Sequence, residues 1–191
     1  MAFTISKFKS GMGKQSGGAR PALYQIDING ISATTSFNGN QNILCKAASI
    51  PAANIAPLAV NYAGRAYKWN GFRTYDNWTV TVINDEDFGI RNKMSDWMRS
   101  MAGKFEGTRD TIHGDPLFGT SWFDGDATVK QLGTDGVVKQ VYKLHYLWPT
   151  EIAGIPVDWS TDGIQEYTVT FAYDYWTHGS GTTSTTNVVP S

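Results

Sequence analysis

The stretch from Ile164 to Trp176 constrains this chain more than any other. It reads Ile-Gln-Glu-Tyr-Thr-Val-Thr-Phe-Ala-Tyr-Asp-Tyr-Trp. Tyr167, Val169, Phe171, Tyr173 and Tyr175 fall on one side, and Thr168, Thr170, Ala172 and Asp174 on the other. A period of two sends successive side chains to opposite faces of a sheet. β-Branched and aromatic residues suit a pleated, half-buried surface. The segment therefore predicts one long strand with a buried aromatic face, a building element that carries no evident chemistry.

At 191 residues, one domain with a sizeable core is expected. Charged residues make up 17% of the chain, below the roughly 25% of typical soluble domains. Such a surface suits either a chain partly covered by partners or an ordinary β-rich protein. A formal net charge of −1 argues against gripping nucleic acid, which needs clustered Lys and Arg. Cys45 is the single cysteine, so no internal disulfide is possible, and it reads as a small half-buried strand residue. No apolar run approaches the about 18 residues of a membrane span. The start Met1-Ala2-Phe3-Thr4-Ile5-Ser6-Lys7 does not look like a secretory signal.

Three regions are expected: a flexible arm over 1–18, a domain over 19–176 and a disordered tail over 177–191. Ser10 to Gly18 is rich in Gly, Ser and Lys and reads as mobile. Strands are predicted over Leu23–Ile28, Ile43–Ser49, Tyr75–Ile83, Ala127–Leu132 and Val137–Leu147, the last ended by Trp148-Pro149. Pro57–Tyr62 and Arg65–Trp69, joined by Ala63-Gly64, read as a projecting hairpin, with a turn at Asn70-Gly71. In Val137–Leu147, the residues Val138, Gln140, Tyr142, Leu144 and Tyr146 share a face.

One helix follows Asn84, its expected N-cap, with Asp85, Glu86 and Asp87 in the first turn. Ile90, Met94, Trp97, Met98 and Met101 form one helical face, which suits core packing or a partner, and Gly103 should stop the helix. Lys104 to Gly125 reads as a long loop. The fold class is thus mainly β: an antiparallel sandwich or barrel with one flanking α-helix and a projecting β-hairpin.

The chain offers little catalytic chemistry. His113 and Asp115 are a compact pair of metal-type ligands without a third, and read as a solvated loop. His145 sits mid-strand and suits a structural or interface role, while His178 falls in the expected tail. There is no G-x-S-x-G, P-loop or dinucleotide fingerprint. Trp69, Trp122 and Trp159 could form a carbohydrate-stacking platform if exposed together, though core and interface packing is the alternative. No catalytic residue, metal or cofactor is expected.

Several short motifs, in order, resemble the tail tube proteins of contractile-tailed bacteriophages. They are Ala19-Arg20-Pro21 leading into Leu23-Tyr24-Gln25, then Cys45 to Pro51, then Arg73 to Asp85 with its helix. Leu147 to Thr150, Val157-Asp158-Trp159 and Ile164 to Trp176 complete the match, which spans residues 19–176. The resemblance implies a structural virion protein whose hexameric rings stack into the hollow inner tube of a contractile tail. The type VI secretion needle protein is similar in fold, so a secretion or injection tube carrying protein effectors is the alternative.

The implied partners are the chain itself, the sheath protein, a baseplate hub and a tail terminator. Genomic DNA would pass through the lumen without specific binding, and no membrane anchoring is implied. The implied location is the virion tail, with host cytoplasm during assembly. Family members use the arm and hairpin between rings, which puts Phe3, Ile5, Phe8, Leu58, Val60, Tyr62, Arg65, Tyr67 and Trp69 at the inter-ring contact. The chain departs from the pattern in its longer Gly-rich arm, its extended loop over 104–125 and its added Thr/Ser tail.

Overall fold

The computed structural model describes residues 4–13, 18–30, 36–37, 44–102, 125–160 and 162–180. The predicted loop over 104–125, with His113, Asp115 and Trp122, lies outside these residues except for Gly125, which opens a strand, and so do Phe3, Gly103 and the chain from 181 onward.

The strands β1 (Tyr24–Asn29), β6 (Gly125–Leu132), β7 (Val138–Ile152), β8 (Glu166–Ala172), β5 (Trp78–Ile83) and β2 (Cys45–Ala48) pair antiparallel in that spatial order. A further strand, β9 (Tyr175–Ser180), pairs with the first half of β7. The hairpin β3 (Asn54–Tyr62) and β4 (Arg65–Thr74) forms a separate two-stranded sheet.

The large sheet bends into two halves that share one core. Ile26, Ile28, Ala127, Val129, Leu144 and Leu147 come from the β1-β6-β7 half. Trp78, Val80, Val82, Tyr167, Val169 and Phe171 come from the β5-β8 half. The bend occurs where β7 bulges. Gly125 faces Leu147 while Ala127 faces Leu144, so His145 and Tyr146 stand against Asp126 alone. Tyr146 takes up the extra residue with φ 57°, in the left-handed region that disfavours side chains.

This bulge corrects the sequence reading of β7. The shared face holds as far as Leu144, and Leu147 then replaces Tyr146 in the core while Tyr146 turns outward. Pro149 does not end the strand. It sits beside a second register shift, between Pro149 and Glu151, where the ladder is already irregular.

The long aromatic strand is also broken. Opposite the bulge, Tyr173 and Asp174 make a corner between β8 and β9, held by Asp174 N donating to His145 O at 3.2 Å. Tyr167, Val169, Phe171 and Tyr173 are buried as the alternation requires. Beyond the corner the phase changes. Trp176 opposes Leu144 and packs toward the core, while Tyr175 opposes His145 and stacks on its ring. Residues 177–180 belong to β9, so the expected tail begins too early in the sequence reading.

Two helices are described, one more than expected. Helix α1 (Ile5–Gly13) occupies the predicted flexible arm, its first turn closed by Lys7 N and Phe8 N donating to Thr4 O. Helix α2 (Gly89–Ala102) is the predicted amphipathic helix. Ile90, Met94 and Trp97 are fully buried, and Met98 and Met101 half-buried.

Asn84 is not the cap of α2. It extends the β5 side by pairing with Gln165, through both backbone and side-chain amides. Asp85 caps instead, its Oδ2 accepting from Gly89 N at 3.2 Å, and Glu86 and Asp87 form the turn before the helix. A local propensity for a cap was legible, but strand pairing claimed the first candidate.

Asn70-Gly71 is not a turn either. Both residues continue β4, and Gly71 lies against the carbonyl of Ala56 at a register shift between Ile55 and Pro57. A Cβ at position 71 would overlap that carbonyl, so the glycine marks a close backbone approach inside the hairpin.

Candidate assembly surface

The hairpin is exposed along nearly its whole length. In its register Leu58 opposes Trp69, Val60 opposes Tyr67 and Tyr62 opposes Arg65, which puts these residues on one face. The opposite face carries Pro57 with Asn70, Ala59 with Lys68 and Asn61 with Ala66. The hairpin is therefore amphipathic, yet its apolar face touches solvent: Leu58 is 61% exposed, Tyr62 74% and Trp69 64%. An isolated two-stranded hairpin is marginal in water, so a face of this kind calls for a cover. Complete burial of one such side chain is worth roughly 1.5–3 kcal/mol.

The turn at the tip is tight. Ala63 and Gly64 take φ 49° and 77°, the two positive values of a type I′ turn. At the root, Ala52 O accepts from Trp176 Nε1 at 3.1 Å and from Tyr173 OH at 3.4 Å. The Arg73 guanidinium lies over both Tyr75 and Trp176, at 5.7 and 5.9 Å from the ring centroids. The corner between β8 and β9 thus anchors the hairpin.

Of the arm residues expected at the same contact, Ile5 and Phe8 lie three apart on α1 and are largely exposed. Phe3 lies outside the described residues. The helix-face residues Ile90, Met94 and Trp97 belong to the core and not to a partner surface.

A second exposed apolar region was not singled out as such in the sequence. Between β7 and β8, Val157 is 83% exposed, Trp159 fully so and Ile164 77%. Asp158 shapes this loop, its Oδ1 accepting from both Ser160 N and Ser160 Oγ at 2.9 Å. Those hydrogen bonds hold its carboxyl below the usual range. The signal was present as Val-Asp-Trp next to turn residues, but nothing in the sequence distinguishes an exposed Trp from a core one. Trp69 and Trp159 do not form a stacking platform. The hairpin leaves the large sheet at the Trp78 end of β5 and the Trp159 loop at the Ile83 end, as the pairing of β5 with β8 fixes.

The groups with reactive side chains have structural partners. Burial pushes the Cys45 thiol up to about 12, with Asp27 adding to the effect, so it is a poor nucleophile at neutral pH. His145 stacks on Tyr175 at 4.7 Å and its Nε2 lies 2.9 Å from Thr177 Oγ1. Burial first, and then nearby Lys143, hold its pKa below the ordinary value, with Asp126 opposing them. His178 sits in β9 against Trp176. Among the described residues, no three His, Cys, Asp or Glu side chains are grouped to hold a metal.

A mainly β subunit with an uncovered amphipathic hairpin suits assembly. The profile of the phage tail tube protein family matches residues 18–179. The chain belongs to the phage tail tube protein family. It is 36% identical over 161 residues to the tail tube protein of Enterobacteria phage T6, covering 83% of this chain and 90% of that protein. The tail tube protein of Enterobacteria phage T4 is 35% identical over the same length and shares. In fold the chain resembles the tube-terminating cap of the anti-feeding prophage, with TM-score 0.60 at 14% identity over 85% of this chain and 91% of that one. The sequence resemblance and the mainly β fold class both hold: the chain is a phage tail tube protein.

Proposed function

We propose that this chain forms hexameric rings that stack into the hollow inner tube of the tail, the conduit for genome ejection through the host envelope. The observation that carries this is the apolar hairpin face of Leu58, Val60, Tyr62, Tyr67 and Trp69, left uncovered in a single subunit. With Arg65 at its edge, this face is the inter-ring contact, and Ile5 and Phe8 of α1 join it together with Phe3. A nine-residue helix is marginal alone in water, so α1 gains its stability from the same contact. Covering five side chains of this size by half supplies on the order of 5 kcal/mol.

The working unit is the domain from residue 19 to the end of β9 at Ser180, preceded by the arm. Sheath protein surrounds the tube, and a baseplate hub and a terminator bound its ends. Assembly takes place in the host cytoplasm, and no cofactor, membrane anchor or catalytic step is involved. DNA passes without specific binding, in keeping with a net charge of −1. The second reading, a contractile-injection or secretion tube with protein cargo, draws on the likeness to the anti-feeding prophage cap, which speaks to fold.

Negative-stain electron microscopy of the purified chain over a concentration series, with and without a baseplate hub as nucleus, tests the proposal. Hollow tubes or sixfold rings are expected. Monomers throughout, hub included, would overturn it. Deleting Ala59 to Lys68 should abolish tubes, and unchanged tube length and yield would remove the hairpin from the contact.

A further inference from the structure

The hairpin and the Trp159 loop share three properties that make them a matched pair. They leave opposite ends of the same half-sheet. Trp78, where the hairpin returns, pairs with Phe171, while Ile83, at the far end of β5, pairs with Glu166, where the loop ends. Six residues of strand separate these points by about 17 Å. Both segments expose large apolar side chains, Leu58, Tyr67 and Trp69 on one and Val157, Trp159 and Ile164 on the other.

Their charges are opposite and unmixed. From Asn54 to Thr74 the charged residues are Arg65, Lys68 and Arg73, with no carboxylate. From Ala153 to Glu166 they are Asp158, Asp162 and Glu166, with no Lys or Arg. Glu166 is engaged by Lys46 at 2.7 Å and Arg73 lies over Tyr75 and Trp176. Among the described residues, Arg65, Lys68, Asp158 and Asp162 enter no ion pair.

We infer that the residues Val157–Ser160 and Asp162–Ile164 of one subunit are the acceptor for the hairpin of a second copy of this chain. The contact is head-to-tail. Trp159 and Val157 cover the apolar hairpin face and Asp158 meets Arg65 on that face, while Lys68, which starts from the opposite face, reaches Asp162 around the open edge of β4. A donor at one end and an acceptor at the other use different patches on the two copies. Such heterologous contacts propagate, and so build rings or stacks instead of closing as a twofold dimer. Opposite charge at the rim fixes partner and register, and desolvated aromatic side chains supply the affinity. This inference rests on the tube reading and adds the acceptor to it.

Charge reversal tests the pairing. Arg65→Glu with Lys68→Glu, or Asp158→Lys with Asp162→Lys, should each raise the concentration needed for tubes roughly tenfold or more. Combining all four substitutions should restore assembly. Circular dichroism and thermal melting of each soluble variant check that the subunit stays folded. A second arm places cysteines by Ala66→Cys and Ser160→Cys in one chain, beside the apolar contact and not in it, where buried Cys45 does not compete. Oxidised tubes of that chain should run as a covalent ladder in denaturing gels.

If wild-type tubes form but folded reversal variants assemble normally, or the fourfold variant stays unassembled and no ladder appears, the acceptor assignment is wrong and the tube reading stands. If the wild-type chain forms no tubes even with a hub, the tube reading itself fails and this inference falls with it.

Discussion

Trp97 on α2 lies directly over Gly125 at the start of β6. A Cβ built on Gly125 would meet the Trp97 ring and the carbonyl of Leu147. The same indole sits 6.3 Å from the Phe171 ring, which in turn packs 5.7 Å from Trp78. One contact thus ties the helix to both halves of the bent sheet, and it sits where β7 begins to bulge. Gly125 is required by that approach and not by an unusual φ.

Gly125→Ala is therefore expected to destabilise the subunit, since the backbone carbonyl cannot move aside and the indole is fully buried. Overpacking of this kind costs about 1–3 kcal/mol. At a few degrees per kcal/mol for a chain of this size, Tm should fall by about 3–10 °C. Calorimetry of the soluble variant measures it, and an unchanged Tm would mean that Trp97 does not rest on Gly125.

His145 makes stability depend on pH, with a definite sign. Its pKa in the fold lies below the unfolded value of 6.5, chiefly from burial. The unfolded chain then binds the proton more readily than the folded one. The stabilisation is fully present above the unfolded pKa and is lost as pH falls through the folded pKa. The urea midpoint should drop from about pH 7.5 to about pH 5, and the drop should shrink in His145→Gln. The ring is partly solvated, so the effect is modest. Equal slopes in both proteins would assign the acid loss to carboxylates instead.

The tip of the hairpin is not optimal for its turn. Ala63 sits at φ 49°, where a Cβ is disfavoured and Asn or Gly is preferred. Ala63→Asn should stabilise the turn by about 0.5–1 kcal/mol. Amide exchange across residues 58–69 of the free subunit should slow roughly two- to fivefold. Faster exchange would indicate that the Ala63 methyl packs on the hairpin.

What the sequence made legible followed from periodicity. The alternation in Trp78–Ile83 and Tyr167–Tyr173 and the Ile90, Met94, Trp97 stripe all point into one core. The hairpin was legible from short strands around Ala63-Gly64, and its register then put Leu58, Val60, Tyr62, Arg65, Tyr67 and Trp69 on one face. What escaped were the points where tertiary pairing overrides a local signal. The Tyr146 bulge shifts the alternation by one residue, and Tyr146 has no residue-level mark of a left-handed position. Asn84 has the chemistry of a cap but is taken by Gln165. Asn70-Gly71 has the chemistry of a turn, while Gly71 serves a close approach to Ala56. The Trp159 loop escaped because exposure is a property of packing, which a single sequence does not carry.

The direction in which the hairpin projects depends on Trp176. Its Nε1–H donates to Ala52 O, the Arg73 guanidinium lies over its ring, and Tyr142 meets that ring edge-on at 5.8 Å. Trp176→Phe keeps an aromatic ring but removes the hydrogen bond, leaving Ala52 O with the longer bond from Tyr173 OH. A stability loss of about 1 kcal/mol is expected from the lost bond. The larger effect falls on assembly, because a hairpin free to swing must be ordered again at each contact, which weakens association without removing any contact residue. The variant should show faster amide exchange over residues 54–74 in the free subunit and a raised concentration threshold for tubes. Restored assembly when Ala63→Asn is added would separate loss of hairpin order from loss of fold. If Trp176→Phe exchanges and assembles as the wild type does, the β8–β9 corner does not aim the hairpin.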